Sequence, residues 1–502
     1  MKINTNLFYS LTILLSMVLF VSCDDDNGND PTPPSVTAPS SVSVTVGGSV
    51  DLTYSVSTPE GYESASVSAE SGQASITSEP GNGASSGNVV VNYTGNTAGA
   101  GSVNLTVTDA SGLSANATVV ISIGEEVTEI IVTNNITSNT TWEDGITYIL
   151  GGRIAVEAGA TLTIEGGALV KGEAGEGSNA SALLIARDAT LNANGSADAP
   201  IIFTSVADEI TPEDVDSGNF GSPNLSPTQR GLWGGVIVLG NAPISVSGGT
   251  ENQIEGIIST DPNGLYGGDD PDDSSGSITF ISIRHGGSNI GEGNEINGLT
   301  MGGVGTGTTI ENIEVVANQD DGLEWFGGTV NVSNVLVWNN GDDAVDTDQA
   351  WSGTVSNIVI AAPGDSPFEL DGPEGSFTST GHTIQNATVF VSGNGAEEMI
   401  DVDAETDVNV SNILFLGLVD GNTISSDYPD YADNTNGFAI TSLEAVIPGG
   451  NSVDDFFPFP EIQDDVTEVS GVSAATVGAT DLDAFSFTWS SQASSFPGEI
   501  GL

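Results

Sequence analysis

The sequence has very few basic residues and a single cysteine. Its 502 residues include 6 Lys and Arg against 68 Asp and Glu, which gives a formal net charge of −62. Nucleic acids and anionic membranes bind proteins through basic side chains that neutralise phosphate, so this composition excludes both as electrostatic partners. The lone Cys23 excludes an internal disulfide. Stability must therefore come from burial and from hydrogen bonds.

Long amphipathic helical patterns are also missing. Gly, Ser, Thr, Asn and Val are abundant, and hydrophobic residues make up 38% of the chain. That share is too high for a disordered protein. The composition predicts an all-β protein.

The N-terminus has the features of an export signal and an anchor. Residues 1–22 carry Lys2 and then a short apolar run, which predicts a signal peptide rather than a membrane span. The letters "FVSC" at 20–23 resemble a lipobox, which implies that Cys23 is lipidated. Residues 23–35 are acidic and then proline-rich, as in an extended tether. Their acidic start resembles the surface-export signal of outer-membrane lipoproteins, so the expected location is the outer membrane, lipid-anchored and facing the cell exterior. An ordinary secretory signal, or a spacer facing the periplasm, is the alternative.

Two β-regions of different rhythm follow. Residues 36–124 contain short alternating strands with frequent turn signals, which predict an immunoglobulin-like β-sandwich that serves as a spacer. From residue 125 onward, strand–turn units repeat without helices, and this predicts a β-solenoid over 125–440. Residues 441–502 are expected to cap or extend it.

An asparagine followed by an apolar residue marks each solenoid unit. These positions are spaced 22, 23, 29 and 26 residues apart, at Asn312, Asn334, Asn357, Asn386 and Asn412. Asparagine tolerates the left-handed backbone conformation and hydrogen-bonds its neighbours in turns. One asparagine per coil therefore predicts an internal amide ladder.

Carboxylates recur at fixed distances from these asparagines. Twelve residues onward, between mostly apolar neighbours, lie Glu324, Asp346, Glu369 and Glu398; eight residues onward, in the preceding turn, lie Asp320, Asp342 and Asp365; Asp321, Asp343, Asp348 and Asp371 lie close by. Strand side chains alternate, so the apolar neighbours point inward and the acid between them points outward. Since coils stack about 4.8 Å apart, the pattern predicts one outward stripe of carboxylates. Thr300 in the preceding unit ends the stripe.

Several segments resemble a known family. They are "RGLWGGVIVLGNAPI" (230–244), "ISIRHGGSNIGEGNEINGLTMGGVG" (281–305), "DDGLEWFGGTVNVSNVLV" (320–337) and "GDDAVDTDQAW" (341–351). They resemble bacterial secreted proteins and surface lipoproteins that are right-handed parallel β-helices of the pectate-lyase-like class. The resemblance implies the fold and an extracellular location, but no settled activity. "VWNNGDDAVD" is also similar to the Asp-Asp segment of polygalacturonases, yet no Lys or Arg follows Arg284 to grip such a substrate.

Three interpretations of the stripe remain open. In the first, it binds Ca²⁺, which prefers six to eight oxygen ligands, and the loaded face binds extracellular polysaccharide or another surface. The candidate ligands are Asp320, Glu324, Asp342, Asp346, Asp365, Glu369 and Glu398. In the second, the protein is a glycoside hydrolase with Asp343 and Asp346 as its acid–base pair. Trp338 and Trp351 would be sugar platforms, while Trp325 falls on an inward position. In the third, the protein is a structural adhesin or envelope-layer component with a solvated acidic face.

A second acidic segment interrupts the solenoid. In "YGGDDPDDSSG" the acids are Asp269, Asp270, Asp272 and Asp273. Acids that alternate in a loop can wrap Ca²⁺, but this spacing does not match the EF-hand pattern. A turn held by aspartate side-chain hydrogen bonds is the alternative.

Overall fold

The computed structural model describes residues 30–125, 127–255, 257, 260–290, 295–391, 396–434 and 438–502. The expected signal peptide and Cys23 lie outside these residues. The chain divides into two compact units, Met1–Glu126 and Val127–Leu502. No helix among the described residues has the length and apolarity needed to cross a membrane.

The N-terminal unit is a β-sandwich of two four-stranded sheets. Its strands are β1 (Ser35–Thr37), β2 (Val42–Thr45), β3 (Ser49–Ser57), β4 (Tyr62–Glu70), β5 (Gly72–Ser78), β6 (Ser86–Gly95), β7 (Gly99–Asp109) and β8 (Ser114–Gly124). The sheet orders are β1-β3-β6-β5 and β2-β8-β7-β4. Every second residue of β6 and β7 is buried, because the inner faces of both sheets share one core. The expected sandwich is confirmed.

The C-terminal unit is a parallel β-helix. Its strands are β9 (Glu129–Val132), β10 (Thr140–Trp142), β11 (Thr147–Leu150), β12 (Arg153–Val156), β13 (Thr161–Glu165), β14 (Leu169–Gly172), β15 (Ala182–Ile185), β16 (Thr190–Asn194), β17 (Ile201–Ser205), β18 (Val236–Leu239), β19 (Asn252–Gln253), β20 (Leu265–Tyr266), β21 (Gly276–Arg284), β22 (Leu299–Gly302), β23 (Thr309–Val316), β24 (Leu323–Phe326), β25 (Val332–Trp338), β26 (Val345–Asp348), β27 (Thr354–Ala361), β28 (Phe368–Leu370), β29 (His382–Phe390), β30 (Asp401–Val402), β31 (Val408–Leu416), β32 (Ile440–Ala445) and β33 (Val466–Glu468). Short helices interrupt it at α1 (Pro212–Asp216), α2 (Tyr428–Asn434), α3 (Val453–Phe456), α4 (Pro460–Gln463) and α5 (Trp489–Gln492).

Two parallel sheets run along the β-helix. The short-strand sheet has eight strands in the order β12-β15-β18-β22-β24-β26-β28-β30. The long-strand sheet has fifteen, and its path includes β21-β23-β25-β27-β29-β31-β32. Each middle coil consists of one long strand, a turn, one short strand and a second turn. The predicted all-β solenoid is confirmed.

The asparagine ladder bends the long strands. Asn312, Asn334, Asn357, Asn386 and Asn412 all have left-handed φ values between 56° and 60°. The Nδ2 of Asn334 donates to Oδ1 of Asn312 at 2.9 Å, and Nδ2 of Asn357 donates to Oδ1 of Asn334 at 2.8 Å. The predicted ladder is confirmed from Asn312 to Asn357 and again between Asn386 and Asn412. Between these two runs, Oδ1 of Asn357 accepts from the backbone N–H groups of Thr480 and Asp481. The ladder shapes the coils that it joins.

Apolar and aromatic side chains fill the interior of the β-helix. Trp325 and Trp351 lie one above the other with ring centroids 4.8 Å apart, and His382 continues the stack 5.2 Å from Trp351. Nε2 of His382 and the Thr347 hydroxyl are hydrogen-bonded at 3.1 Å. Burial lowers the pKa of His382 to about 3, so the ring stays neutral. This histidine belongs to the core.

The C-terminal residues do more than cap the last coil. Helices α3 and α4 bring Phe456, Phe457 and Ile462 into the core beyond β31. Residues 470–502, here called the strap, then run back along the outer face of the long-strand sheet. Thr476 contacts Glu444 of β32, Thr480 contacts Asn357 of β27, and further along Trp489 contacts Glu314 of β23. The strap therefore ties late coils to earlier ones.

Candidate cation site on the short-strand sheet

One outward position of the short strands carries the predicted stripe. Thr300, Glu324, Asp346 and Glu369 are cross-strand partners on four consecutive strands. Their neighbours Leu323 and Trp325 are 0% exposed inside the β-helix. The predicted register and side-chain direction are confirmed for these coils.

The last position of the stripe differs from the prediction. The structure pairs Glu369 with Asp401, three residues beyond the expected Glu398. The turn between β29 and β30 is longer than the turn between β27 and β28. Counting twelve residues from the ladder asparagine therefore fails on this coil. Glu398 instead forms an isolated bridge with Thr423 on the next coil. Burial and the nearby Asp401 raise the pKa of Glu398 to about 7.

A second carboxylate row runs two residues further along each strand. Asp348 ends β26, and Asp371 and Asp403 directly follow β28 and β30. Burial and the charge of Glu374 raise the pKa of Asp348 to about 8. Burial and Asp403 raise that of Asp371 to about 7. The sequence predicts Asp348 and Asp371 beside the stripe, whereas Asp403 and Glu374 were not predicted.

The turns before the short strands form a hydrogen-bonded side-chain ladder. Oδ1 of Asn297 accepts from the backbone N–H of Asp321 at 3.2 Å, and Oδ1 of Asp321 accepts from N–H of Asp343 at 2.9 Å. Oδ1 of Asp343 accepts from N–H of Ser366 at 2.6 Å. Each turn thus needs an acceptor at this position, which Asn or Asp can supply. Asp321 and Asp343 have a structural function besides any chemical one.

Two groups of three carboxylates lie close enough together to coordinate one metal ion each. They are Asp320, Asp321 and Asp342, and Asp321, Glu324 and Asp346. In each group one oxygen per residue lies within 4.8 Å of the others. Asp321 belongs to both, so a turn carboxylate joins the turn row to the strand row.

The loop between β19 and β20 and the loop between β21 and β22 cover the part of the stripe formed by Glu324 and Asp346, here called its deep end. Glu324 and Asp346 are only 8% and 9% exposed, although they point away from the interior. The loop residues Ile257 and Ile296 belong to an apolar cluster with the outward Ile237 of β18, one coil before Thr300. The interpretation of the stripe as a freely solvated acidic face is therefore wrong at Glu324 and Asp346. Asp342, Asp365, Glu369 and Asp401 are more exposed, so the stripe opens toward later coils.

The same loops add further acids. Burial, followed by the charges of Asp342, Glu295 and Glu255, raises the pKa of Asp320 to about 7. Asn297 donates through Nδ2 to Glu324, one of few donors that the site offers. Glu255 and Glu295 lie in irregular loops without periodicity, and no sequence signal could have assigned them to the stripe.

Burial dominates the electrostatics of the stripe. It raises the pKa values of Asp321, Glu324 and Asp346 well above their usual range, and neighbouring carboxylates raise them further. The pKa of Asp343 rises to about 10 through burial and a hydrogen bond with Glu369. Without a counter-charge, these groups hold protons near neutral pH.

Among the described residues, no Lys or Arg forms an ion pair with a carboxylate of the stripe. The ion pairs there are Arg153 with Asp261, Arg187 with Glu251, and Arg284 with Glu314. None of these acids belongs to the stripe. Protons or cations from solution must neutralise it.

The predicted sugar platforms are not available. Trp338 is 2% exposed, because its ring packs against Trp489 and Phe496 of the strap. Trp351 is 1% exposed inside the β-helix. The expectation that these tryptophans bind a ligand is wrong, because each indole fills part of a core.

The second acidic loop is a turn held by side-chain hydrogen bonds. Oδ1 of Asp270 accepts from the backbone N–H of Asp272 at 3.1 Å, and Asp273 accepts from Asn241 at 3.1 Å. Asp269, Asp270 and Asp272 are exposed. Within the described residues, this loop contributes to no group of three converging carboxylates. The hydrogen-bonded alternative accounts for it.

The fold and its outward carboxylates define a parallel β-helix of the pectate-lyase-like class. A family model described as a pectate-lyase-like β-helix domain matches residues 134–219 and 220–478. These matches cover more than half of the chain, and the protein belongs to this family.

A solved structure is weakly similar to part of this chain. A structure of the SrpA adhesin from Streptococcus sanguinis is similar at 16% identity and a TM-score of 0.17, covering 20% of this chain and 61% of that one. Such a low TM-score carries no argument. No curated protein matches the sequence.

Proposed function

We propose that this protein is a cell-surface lipoprotein whose β-helix binds Ca²⁺ along the carboxylate stripe and uses the loaded face to bind extracellular polysaccharide or another surface. The observation that carries the proposal is the pair of carboxylate groups that share Asp321. Buried carboxylates a few ångströms apart cannot all be ionised without a counter-charge. Ca²⁺ suits them, because it accepts six to eight oxygen ligands in flexible geometry.

The open end of the stripe supports the second half of the proposal. The more exposed acids, such as Asp365 and Glu369, are continuous with the deep groups. A Ca²⁺ ion held there would keep coordination positions for ligands from outside, and polysaccharide carboxylates or hydroxyls have the required chemistry.

Asp321→Asn tests the cation site. The amide keeps the acceptor for the Asp343 N–H but removes the charge that both groups share. We expect calorimetry to show Ca²⁺ binding to the wild-type protein and at least about tenfold weaker binding to the variant, a loss of roughly 1.4 kcal/mol. Without calcium the variant should melt at a higher temperature at neutral pH, because the wild type must hold a proton on Asp321 to fold whereas the amide is neutral at every pH.

The matched control is Asp272→Asn in the exposed second loop, which should bind Ca²⁺ as the wild type does. If the wild-type protein gives neither binding heat nor a melting shift with Ca²⁺, the stripe is not a calcium site. A purely structural adhesin or envelope-layer component would then be favoured.

One observation favours a glycoside hydrolase as the second candidate. Asp343 is hydrogen-bonded to Glu369, and its pKa of about 10 would keep it protonated as a general acid requires. Against this, Asp343 and Asp346 are only 6% and 9% exposed. An array of polysaccharides, assayed for binding and for released reducing sugar, separates the two candidates. We expect Ca²⁺-dependent binding without sugar release, and release would favour the hydrolase.

The anchor is tested through Cys23. In cells fed a labelled fatty acid, the wild-type protein should take up label and sediment with the outer membrane. Cys23→Ser should lose the label and appear in the soluble fraction. External protease added to intact cells should degrade the wild type if it faces outward. Label retained in the variant would contradict the anchor.

A further inference from the structure

The strap covers the apolar outer face of the long-strand sheet. On this face Val316, Leu336, Val359 and Leu416 are at most 4% exposed, although they point away from the interior of the β-helix. The side chains that cover them come from the strap: Phe485, Trp489, Phe496 and Ile500. Without the strap, this face would present a contiguous apolar surface.

The strap is held through side-chain anchors along its length. Glu444 and Thr388 hold its first part, and Gln492 of the strap contacts Phe220. The two anchors between them are Glu314 and Asn357. Glu314, which is 0% exposed, accepts from the backbone N–H groups of Trp489 and Ser490 at 3.1 and 2.9 Å and from the Ser490 hydroxyl at 2.7 Å. Asn357 accepts from N–H of Thr480 and of Asp481 at 2.8 and 2.9 Å. The described residues of the strap form no β-strand.

Side chains of the neighbouring strand β21 hold the Glu314 carboxylate in position. Ser282 donates to Glu314, and Nε of Arg284 donates to the Ser282 hydroxyl at 2.7 Å. The Arg284 guanidinium lies 5.3 Å from the centre of the Trp489 ring. Body and strap therefore meet at Glu314 through a charge, a set of hydrogen bonds and an aromatic contact.

The coils beneath are held much more firmly. The strands β23, β25 and β27 pair continuously on both sides and share the interior core. Segments with few backbone hydrogen bonds open at a lower free energy than core strands do. The two parts of this unit should therefore differ in opening free energy.

We infer that the strap is a latch that opens as one cooperative unit while the β-helix stays folded, and that its opening uncovers the apolar face around Trp338. The Glu314 carboxylate holds the latch closed through its hydrogen bonds to Trp489 and Ser490. Because the anchors at Glu314 and Asn357 hold one continuous segment and cover one apolar cluster, losing one anchor loosens the whole strap.

Hydrogen–deuterium exchange on the full chain, read by mass spectrometry, tests the latch. Glu314→Gln replaces one carboxylate oxygen with an amide donor that cannot accept from the strap N–H groups. We expect peptides across 476–492 to exchange together and at least tenfold faster than in the wild type, with β23, β25 and β27 unchanged. Binding of a hydrophobic dye should increase in parallel. The matched control is Glu311→Gln on the same strand, which is exposed and should change neither readout.

Two results would overturn the inference. If β23, β25 and β27 exchange faster together with the strap, the strap is not a separate unit. If only 487–492 responds and 476–481 keeps its wild-type rate, the strap does not open as a whole. Glu314→Gln also removes the buried ion-pair partner of Arg284. Ser490→Ala is therefore the second variant, because it removes one donor to Glu314, leaves the ion pair in place and should give the same pattern at smaller amplitude.

Discussion

In the presence of a chelator, the melting temperature of the wild-type protein should fall as the pH rises from 5 to 8. The pKa values of Asp320 and Asp371 are raised to about 7, and that of Asp348 to about 8. A raised carboxyl pKa means that the folded state binds more protons than the unfolded state in this range. Stability is therefore fully present below the unfolded pKa, near 4, and is lost as the pH passes the folded pKa. The total loss should be on the order of a few kcal/mol, since the more exposed groups are partly screened.

Calcium should largely abolish this dependence, because the bound cation replaces the protons as the counter-charge. Thermal melts at pH 5, 6, 7 and 8, each with chelator and with Ca²⁺, measure the effect. Asp321→Asn in chelator should give a shallower slope than the wild type. A melting temperature that rises with pH in chelator would show that the stripe acids are not held protonated in the folded protein.

Trp351→Ala should be among the most destabilising single substitutions in the β-helix. The indole is 1% exposed, stacks on Trp325 and donates from Nε1 to the Val330 carbonyl at 3.1 Å. Removing it leaves a large cavity in a core that cannot collapse, because the coils on both sides fix its walls. We expect a loss of about 3–5 kcal/mol in the free energy of unfolding.

Denaturant titration of the C-terminal unit measures this loss, with Trp351→Phe as the milder comparison. Any polysaccharide binding of the folded fraction should keep its wild-type affinity, because the side chain does not reach the surface. Weaker binding without a loss of stability would mean that Trp351 does contact a ligand, contrary to its position in the core.

The repeating part of this protein follows from its amino-acid sequence alone. The left-handed asparagines, the inward apolar residues and the outward acids of β24, β26 and β28 follow from local rules. An αL turn needs a residue such as Asn312, and strand side chains alternate between the two faces. Coils that repeat at nearly constant length then place equivalent residues in register. For this reason Glu324, Asp346 and Glu369 could be placed on one stripe without coordinates.

The surroundings of that repeat depend on tertiary contacts. Because the turn before β30 is longer than those before β26 and β28, Asp401 rather than Glu398 lies beside Glu369. Irregular loops buried Glu324 and added Glu255 to its surroundings, while the strap covered Trp338. Each of these contacts joins segments far apart in the chain and without a shared period. Their free energy depends on shape and burial in three dimensions, and no local pattern of residues records it.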